Sequence, residues 1–458
     1  MRIPLSVPLT FSEIFKNSPS IIKIKRDATV GFISTNSKEV ENGDLFIAIK
    51  GERLDGEKFS EEAKNKGAYL LSSIECYADL LANDTTAALL EIASYFKSKL
   101  NNLKYTVAIT GSVGKTTTKN VMAKMLSTKY ITHATEENFN NYIGISYTIL
   151  SAPKNTEIII AELGMNHLGE ISLMSKTLKP DISVITNIGT SHIGNLGSRE
   201  LIASAKLEII DGMENPCLIV PHDEPLLEEC KRKKYTFSIN NPKSDYYIQI
   251  TEAAPLFSSF NVISKTIRLN DLKIDFPGKH VIDAIGISIA AMNVIGAGED
   301  EIKKAISAID EKCFRGKLIK IDDFYAYDDT YSSSYEAALC DFEILNLKYK
   351  TAKKSCVLGD MLELGEHSDS LHKKLGQAVF RYGFRKLYAI GTHALSIAAG
   401  AREAGMDEEN IFINPDAHNI EITAKQILEN KISDEIILFK ASHDIHAEKI
   451  IELLLNIT

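Results

Sequence analysis

A run of β-prone, mostly apolar residues, Tyr105-Thr106-Val107-Ala108-Ile109, passes directly into Thr110-Gly111-Ser112-Val113-Gly114-Lys115-Thr116-Thr117. No other stretch constrains the chain as tightly. The apolar run suits a strand buried inside a parallel sheet. Gly111 and Gly114 let the backbone turn sharply and aim its N–H groups at phosphate oxygens. Lys115 then neutralises charge on the β- and γ-phosphates, and the Thr116 hydroxyl is placed to reach Mg²⁺. Val121, Met122, Met125 and Leu126 follow at helical spacing, so the loop opens a helix whose N-terminus faces the phosphates. The general phosphate-loop pattern has a glycine where this chain has Ile109, so the loop is a shortened form, T-G-x-x-G-K-T. Agreement of strand, loop and helix separates it from a chance Gly-Lys-Thr on a turn. The chain is expected to bind a nucleoside triphosphate.

At 458 residues there is material for two to four domains. A composition of 44% hydrophobic and 25% charged residues is that of a globular protein without a membrane-spanning run. Met1-Arg2-Ile3-Pro4-Leu5 lacks the sustained apolar core of a secretory signal. The six cysteines, Cys76, Cys217, Cys230, Cys313, Cys340 and Cys356, contain no C-x-x-C pair and read as buried or free thiols of a reducing compartment, suggesting neither zinc nor a disulfide framework. A net charge of −9 argues against a nucleic-acid partner. The one basic run, Lys231-Arg232-Lys233-Lys234, reads as a solvated helix end or loop. The expectation is a cytoplasmic enzyme. Nothing resembles a coiled coil, so a monomer is expected.

Apolar runs at Val30–Ile33, Leu45–Ile49 and Tyr69–Ser72 mark a small N-terminal α/β unit, and Thr85–Leu100 has helical character. Beyond the phosphate loop, Ile158–Ala161, Ile182–Thr186 and Leu218–Val220 alternate with amphipathic stretches, as in a doubly wound parallel sheet. Strands and turns are expected from Tyr247 to Phe276, then a helix over Ala284–Val294. Ser355–Leu358, Leu387–Ile390 and Ile436–Phe439 repeat a βα rhythm. The fold class is α/β, in three domains: 1–83, a central 84–313 and a Rossmann-like 314–458.

Ligands of open α/β sheets bind beyond the carboxyl ends of the strands. Two polar groups stand at such ends here, Glu162 after Ile158–Ala161 and His192 within Asn187-Ile188-Gly189-Thr190-Ser191-His192. Beside a phosphate loop they could hold Mg²⁺ between them. Taken singly, Glu162 could cap a helix and His192 could be a satisfied loop histidine. Asn138-Phe139-Asn140-Asn141-Tyr142-Ile143-Gly144 reads locally as a turn with an N-cap.

The segments Thr110–Thr117, Asn138–Gly144, Glu162–Ile171, Asn187–Gly197 and Ala205-Lys206-Leu207-Glu208-Ile209 closely resemble the Mur ligases, which join amino acids to peptidoglycan precursors at the expense of ATP. Val357–Gly365 and Gly43–Arg53 extend the resemblance to both ends of the chain. The resemblance implies an N-terminal UDP-sugar domain, a central ATPase domain and a C-terminal domain for nucleotide and incoming amine. It also implies ATP and Mg²⁺ as cofactors, and UDP-MurNAc-tripeptide and D-Ala-D-Ala as small-molecule substrates. Lys115, Glu162, His192 and Lys206 would be catalytic, with Thr116, Glu162, His192 and a carbamylated Lys206 as metal ligands. Thr110 through Thr117, Asp283, Lys317 and Asp329 would bind nucleotide. Asn140, Asn141, Ser37, Lys50, Tyr331, Lys440 and Ser442 would bind substrate.

The chain departs from the family pattern away from the phosphate loop. Ser332-Ser333-Ser334 replaces a carboxamide-rich motif, and serine hydroxyls cannot reproduce its paired donors and acceptors. Lys317 stands for an arginine, with Arg315 two residues earlier, and Lys440-Ala441-Ser442-His443 ends on histidine in place of arginine. Asp283 stands for asparagine, and Asn36 and Lys38 replace Asp and Arg. These positions surround the base, ribose and amine sites. The leading expectation is ligation of D-Ala-D-Ala. A paralogue joining another amino acid or dipeptide, or a non-catalytic nucleotide-binding homologue, stands beside it.

Overall fold

The computed structural model describes residues 2–51, 54–228, 230 and 233–457. Glu52 and Arg53 of the N-terminal motif, and Lys231 and Arg232 of the basic run, lie outside them. The chain builds three sheets, of six, nine and six strands. In the first, Thr29–Ser34, Leu45–Ile47, Tyr69–Ser72 and Leu80–Ala82 run parallel, flanked by the antiparallel Arg2–Thr10 and Ile21–Ile24. The connecting helix Thr85–Ser98 is capped by Asp84, whose carboxylate accepts from the N–H groups of Thr86 and Ala87. It packs on the helix Tyr142–Leu150.

The second sheet is parallel from Thr132–Ala134 through Ile158–Glu162, Tyr105–Thr110, Ile182–Ile185, Leu218–Pro221 and Lys234–Ser238 to Tyr246–Ala253. Two antiparallel strands, Ser258–Ser264 and Arg268–Ile274, close that edge. Helices cover both faces at its centre, so Ile158–Glu162 is buried at every residue. The order places Ile158–Glu162 and Ile182–Ile185 on either side of the phosphate-loop strand. Their carboxyl ends therefore converge on the loop. The helix Lys115–Leu126 buries Val121, Met122, Met125 and Leu126 and packs against Lys279–Val294.

In the third sheet Phe324–Asp328, Ile436–Lys440, Lys354–Leu358, Leu387–Ile390 and Ile411–Asn414 run parallel, with Lys317–Ile321 antiparallel at one edge. Several elements differ from the sequence pattern. The helix expected from Ala284 begins at Lys279, because Val281 and Ile282 continue its buried face. The basic run meets a strand: Lys234 opens Lys234–Ser238, and its ammonium donates to the carbonyls of Leu227 and Glu228. All six cysteines are free, with Cys313 and Cys356 buried. No helix among the described residues is long and apolar enough to cross a membrane.

Candidate functional site

A cleft of 1070 Å³ lies between the second and third sheets, and residues 112–117 of the phosphate loop form one wall. Both loop glycines hold positive φ, Gly111 at 152° and Gly114 at 82°. A Cβ at Gly111 would fall 1.8 Å from Thr186 Oγ1, so only glycine fits that approach. The neighbouring strand end braces the loop. Thr186 Oγ1 donates to the Val113 carbonyl at 2.6 Å, and the Gly189 N–H donates to Ser112 Oγ at 2.8 Å.

Lys115 folds back, donating to the Gly111 carbonyl at 2.8 Å. Burial lowers its pKa, an effect that Glu162 opposes and Arg315 reinforces. Glu162 is 2% exposed. It accepts from Thr116 Oγ1 at 2.9 Å and from Asn140 Nδ2 at 3.0 Å. Two carboxylate oxygens, a hydroxyl and a carboxamide therefore share one floor beneath the loop. Asn141 acts locally, capping the helix Tyr142–Leu150 by accepting from the Gly144 N–H at 2.9 Å.

His192 sits in the left-handed region at φ 65° and lines the cleft. Its Nδ1 meets the Glu363 carboxylate, and this bond is the main reason that Glu363 titrates below the ordinary glutamate range. Lys206 lies in the last turn of the helix Arg199–Leu207 and is 1% exposed. Burial holds its pKa well below the usual lysine value, and the charge of Lys115 adds to the effect. Among the described residues its ammonium has no hydrogen-bond or ion-pair partner. A buried, partnerless lysine is costly as a cation. It is also reactive as a neutral amine.

The opposite wall comes from the third sheet. Lys440, 1% exposed, pairs with Asp329 and, at 2.8 Å, with Asp341. Burial pushes the Asp341 carboxyl up to about 8, while Lys440, against the burial cost, keeps Asp329 below its ordinary value. Ser442 Oγ accepts from the Leu362 N–H at 3.1 Å. Tyr331, Ser332, Ser334, Lys317 and His443 also face the cleft. Ser334 caps the helix Tyr335–Lys348, which gives that serine a local reason to be there.

Thr110, Gly111, Asn141 and Lys206 do not line this cleft, and Asp283, Ser37 and Lys50 also stand apart from it. Asp283 lies on Lys279–Val294 with its carboxyl pushed up to about 7 by burial, and it is not among the lining residues. Ser37 donates to Glu62 at 2.8 Å, and Lys50 forms an isolated bridge with Asp55, both in the N-terminal unit.

Other residues carry the site that the sequence pattern does not mark. Arg315 donates to Thr116 Oγ1 at 2.7 Å and to Ser332 Oγ at 3.0 Å. Glu336 accepts from the Thr190 N–H and hydroxyl, both at 2.9 Å. Gly194 N–H donates to the Glu363 carbonyl at 2.9 Å. The Arg315–Thr116, Glu336–Thr190 and Glu363–Gly194 bonds join the second sheet's loops to those of the third. The motif around Glu363 is visible in the sequence, but its partner is not.

Comparison with known proteins matches this arrangement. Residues 109–292 match the Mur ligase middle domain, and residues 29–74 match a segment described as Mur ligase family, catalytic domain. The UDP-N-acetylmuramoyl-tripeptide–D-alanyl-D-alanine ligase of Bacillus subtilis is 34% identical over 93% of both chains. The enzyme of the same name from Escherichia coli is 30% identical, over 83% of this chain and 86% of its own. A crystal structure of MurF from Acinetobacter baumannii superposes with a TM-score of 0.87 at 26% identity, covering 99% of this chain and 100% of that one. MurF from Thermotoga maritima in complex with ADP gives 0.77 at 26% identity, over 93% and 97% of the two chains. Sequence likeness that runs from the first sheet to the last, over one shared three-sheet frame, makes this chain a member of the Mur ligase family.

Proposed function

We propose that the protein is an ATP-dependent amide ligase that joins D-Ala-D-Ala to the terminal carboxylate of UDP-MurNAc-tripeptide, a step in making peptidoglycan precursor. The observation that carries the reading is the Lys115, Thr116, Glu162 and Asn140 array, facing the Lys440–Asp329–Asp341 cluster across one cleft. One wall suits phosphates and the other a second, polar substrate. The D-alanyl-D-alanine ligase relatives span nearly the whole chain.

In this reading a carboxylate oxygen of the tripeptide attacks the γ-phosphorus, and the β–γ bridging bond breaks with its electron pair leaving on ADP. The dipeptide nitrogen then attacks the acyl carbon. The carbon–oxygen bond to phosphate breaks, and the nitrogen loses a proton. Several anionic oxygens meet in the first step, so positioning and charge neutralisation supply most of the catalysis. Lys115 and the loop N–H groups hold the β- and γ-phosphates. Mg²⁺ would add Lewis-acid charge stabilisation there. The residues present suit it, because Thr116 Oγ1 and Glu162 Oε2 are hard oxygen donors 2.9 Å apart, with His192 on the same cleft. Among the described residues no group of three or more His, Cys, Asp or Glu could hold a metal. Phosphate oxygens and a carbamate on Lys206 would complete the ligand set, and the buried, partnerless Lys206 amine is suited to carbamylation.

The reading takes domain borders near residues 84 and 314, a monomer, and a cytoplasmic setting. Lys317 and Asp329 would contact nucleotide, and Asn140, Tyr331, Lys440 and Ser442 substrate. Ser37 and Lys50 would hold the UDP end. Incubation with ATP, Mg²⁺ and UDP-MurNAc-tripeptide, with and without D-Ala-D-Ala, tests it. Dipeptide-dependent release of phosphate together with the amide product is expected. Release only with other amines would favour a paralogue with a different acceptor, and no turnover with any amine a binding protein.

A further inference from the structure

The residue between Phe314 and Gly316 holds an unusual position for an arginine. Arg315 lies just before the edge strand Lys317–Ile321 of the third sheet, yet its guanidinium crosses the cleft to the phosphate loop. Nη2 donates to Thr116 Oγ1 at 2.7 Å, and Nη1 donates to Ser332 Oγ at 3.0 Å. The Arg315 Cζ stands 4.6 Å from the centroid of the Tyr331 ring, which supports one face of the guanidinium. Every one of these partners is neutral. Among the described residues Arg315 forms no ion pair. The nearby Asp329 feels its charge but is committed to Lys440.

An arginine held in place by hydroxyls and an aromatic ring, on a cleft wall, keeps its fork out of any direct ion pair among the described residues, with Glu162 one hydroxyl away on the far side of Thr116. Arg315 and Lys115 line the same cleft at the phosphate loop. Two cations brought together at one phosphate loop imply an anion of more than one charge between them. Lys317, which stands where the family pattern has its arginine, is exposed at the strand start and makes no bond to the loop. Gly316, at φ 82° and against the Tyr327 ring, sets the turn that aims Arg315 inward.

We propose that Arg315 is a catalytic residue that the third domain supplies across the cleft, contacting the γ-phosphoryl group as it passes from ATP to the substrate carboxylate. This rests on the ligase reading above. In the step, the bond from the β–γ bridging oxygen to phosphorus breaks, the pair stays on ADP, and the carboxylate oxygen takes up the phosphorus. Charge spreads over the equatorial oxygens, and the fork of Arg315 donates to them without gaining or losing a proton. The Thr116 bond seen here is exchanged for these oxygens, which frees the Thr116 hydroxyl.

The test compares the parent protein with Arg315→Ala and Arg315→Lys. It reads kcat, KM for ATP, and affinity for ADP alone and for ADP with aluminium fluoride, each with UDP-MurNAc-tripeptide present. Arg315→Ala should lower kcat by about 10²–10³-fold, the usual loss for a charge-stabilising donor. ADP affinity should stay within about threefold, while the tightening by aluminium fluoride disappears. Added guanidinium should restore part of the lost kcat in Arg315→Ala, and Arg315→Lys should recover little because an ammonium lacks the planar fork. A kcat within about threefold of the parent would overturn the proposal. So would equal loss of ADP and ADP–fluoride affinity with no response to guanidinium, the pattern of a merely structural bond. Parent protein that binds ADP and fluoride tightly but forms no amide with D-Ala-D-Ala would count instead against the acceptor assignment.

Discussion

The Asn187 carboxamide grips Val113 through both backbone groups: Oδ1 accepts from the Val113 N–H and Nδ2 donates to the Val113 carbonyl, each at 2.9 Å. Val113 is the middle of the phosphate loop, and Asn187 follows the adjacent strand Ile182–Ile185. A side chain thus takes the place of a β-ladder, locking a loop that must present its N–H groups at fixed angles. Asn187→Ala should cost about 1–3 kcal/mol of stability, from two lost bonds and an unpaired Val113 N–H, the Val113 carbonyl keeping its bond from Thr186 Oγ1. It should also raise KM for ATP. Asn187→Asp should be worse, because a carboxylate would face the Val113 carbonyl and add negative charge beside the phosphates. Thermal melts and ATP titrations of the two variants check this, and equal behaviour of Asp and Ala would refute the donor role.

Asp283 makes stability fall as pH rises. Its folded-state value of about 7, raised by burial, lies far above the ordinary carboxylate value of 3.8. A raised carboxyl contributes stability that is present below the unfolded value and is lost as pH climbs through the folded one. The window runs from about pH 4 to about pH 7. Asp283→Asn should flatten that slope and raise the melting temperature at pH 8 by several degrees, since each pH unit of that window is worth roughly 1.4 kcal/mol. Melting curves at pH 5 and pH 8 decide it. An unchanged slope in the variant would show that Asp283 is solvated.

Lys206 should depend on dissolved carbon dioxide. Its buried amine lacks a partner among the described residues, and burial keeps the neutral form accessible. Lys206→Ala and Lys206→Arg should each lose about 10²-fold or more in kcat, since neither can carry a carbamate to complete the ligand set of the Mg²⁺ that would offset charge at the transferring phosphate. Protein equilibrated with ¹³C-bicarbonate should show a carbamate carbon resonance that is absent from both variants. Full activity in Lys206→Arg would remove the carbamate from the account.

The parts of this molecule that are legible in the sequence are those written in neighbouring residues. The strand Tyr105–Thr110 and its loop, the buried Ile158–Glu162 and the polar ends after it follow from local pattern, because a central parallel strand must be apolar throughout. Weakly patterned strands leave no such signal. Ile21–Ile24 and Thr132–Ala134 are partly exposed at sheet edges, and Lys234–Ser238 begins in a basic run. Lys206 cannot be told from a surface lysine by its neighbours; only the family motif singles it out, and burial explains why. The contacts of Arg315, Glu336 and Glu363 depend on how two sheets face each other, and no local period encodes that. Asn141 shares its motif with Asn140 but spends its side chain on a helix N-terminus, whereas Asn140 reaches Glu162.

Glu162→Gln should separate shape from charge. Glutamine can still accept from Thr116 at one oxygen, but its amide would point a donor at either Thr116 or Asn140, which already donate. A fall of about 10²-fold or more in phosphate release is expected, with a folded protein that still binds UDP-MurNAc-tripeptide. Undiminished release would mean that the Glu162 charge has no part in phosphoryl transfer.

Activation of the tripeptide carboxylate as an acyl phosphate, in the cleft beneath Lys115, leaves an isotopic record. The most direct measurement uses UDP-MurNAc-tripeptide carrying ¹⁸O in both oxygens of its terminal carboxylate, with ATP and D-Ala-D-Ala, followed by mass analysis of the products. Passage through the acyl phosphate leaves one ¹⁸O in each phosphate released and the other in the new amide carbonyl. Phosphate free of ¹⁸O, formed alongside the amide, would contradict it.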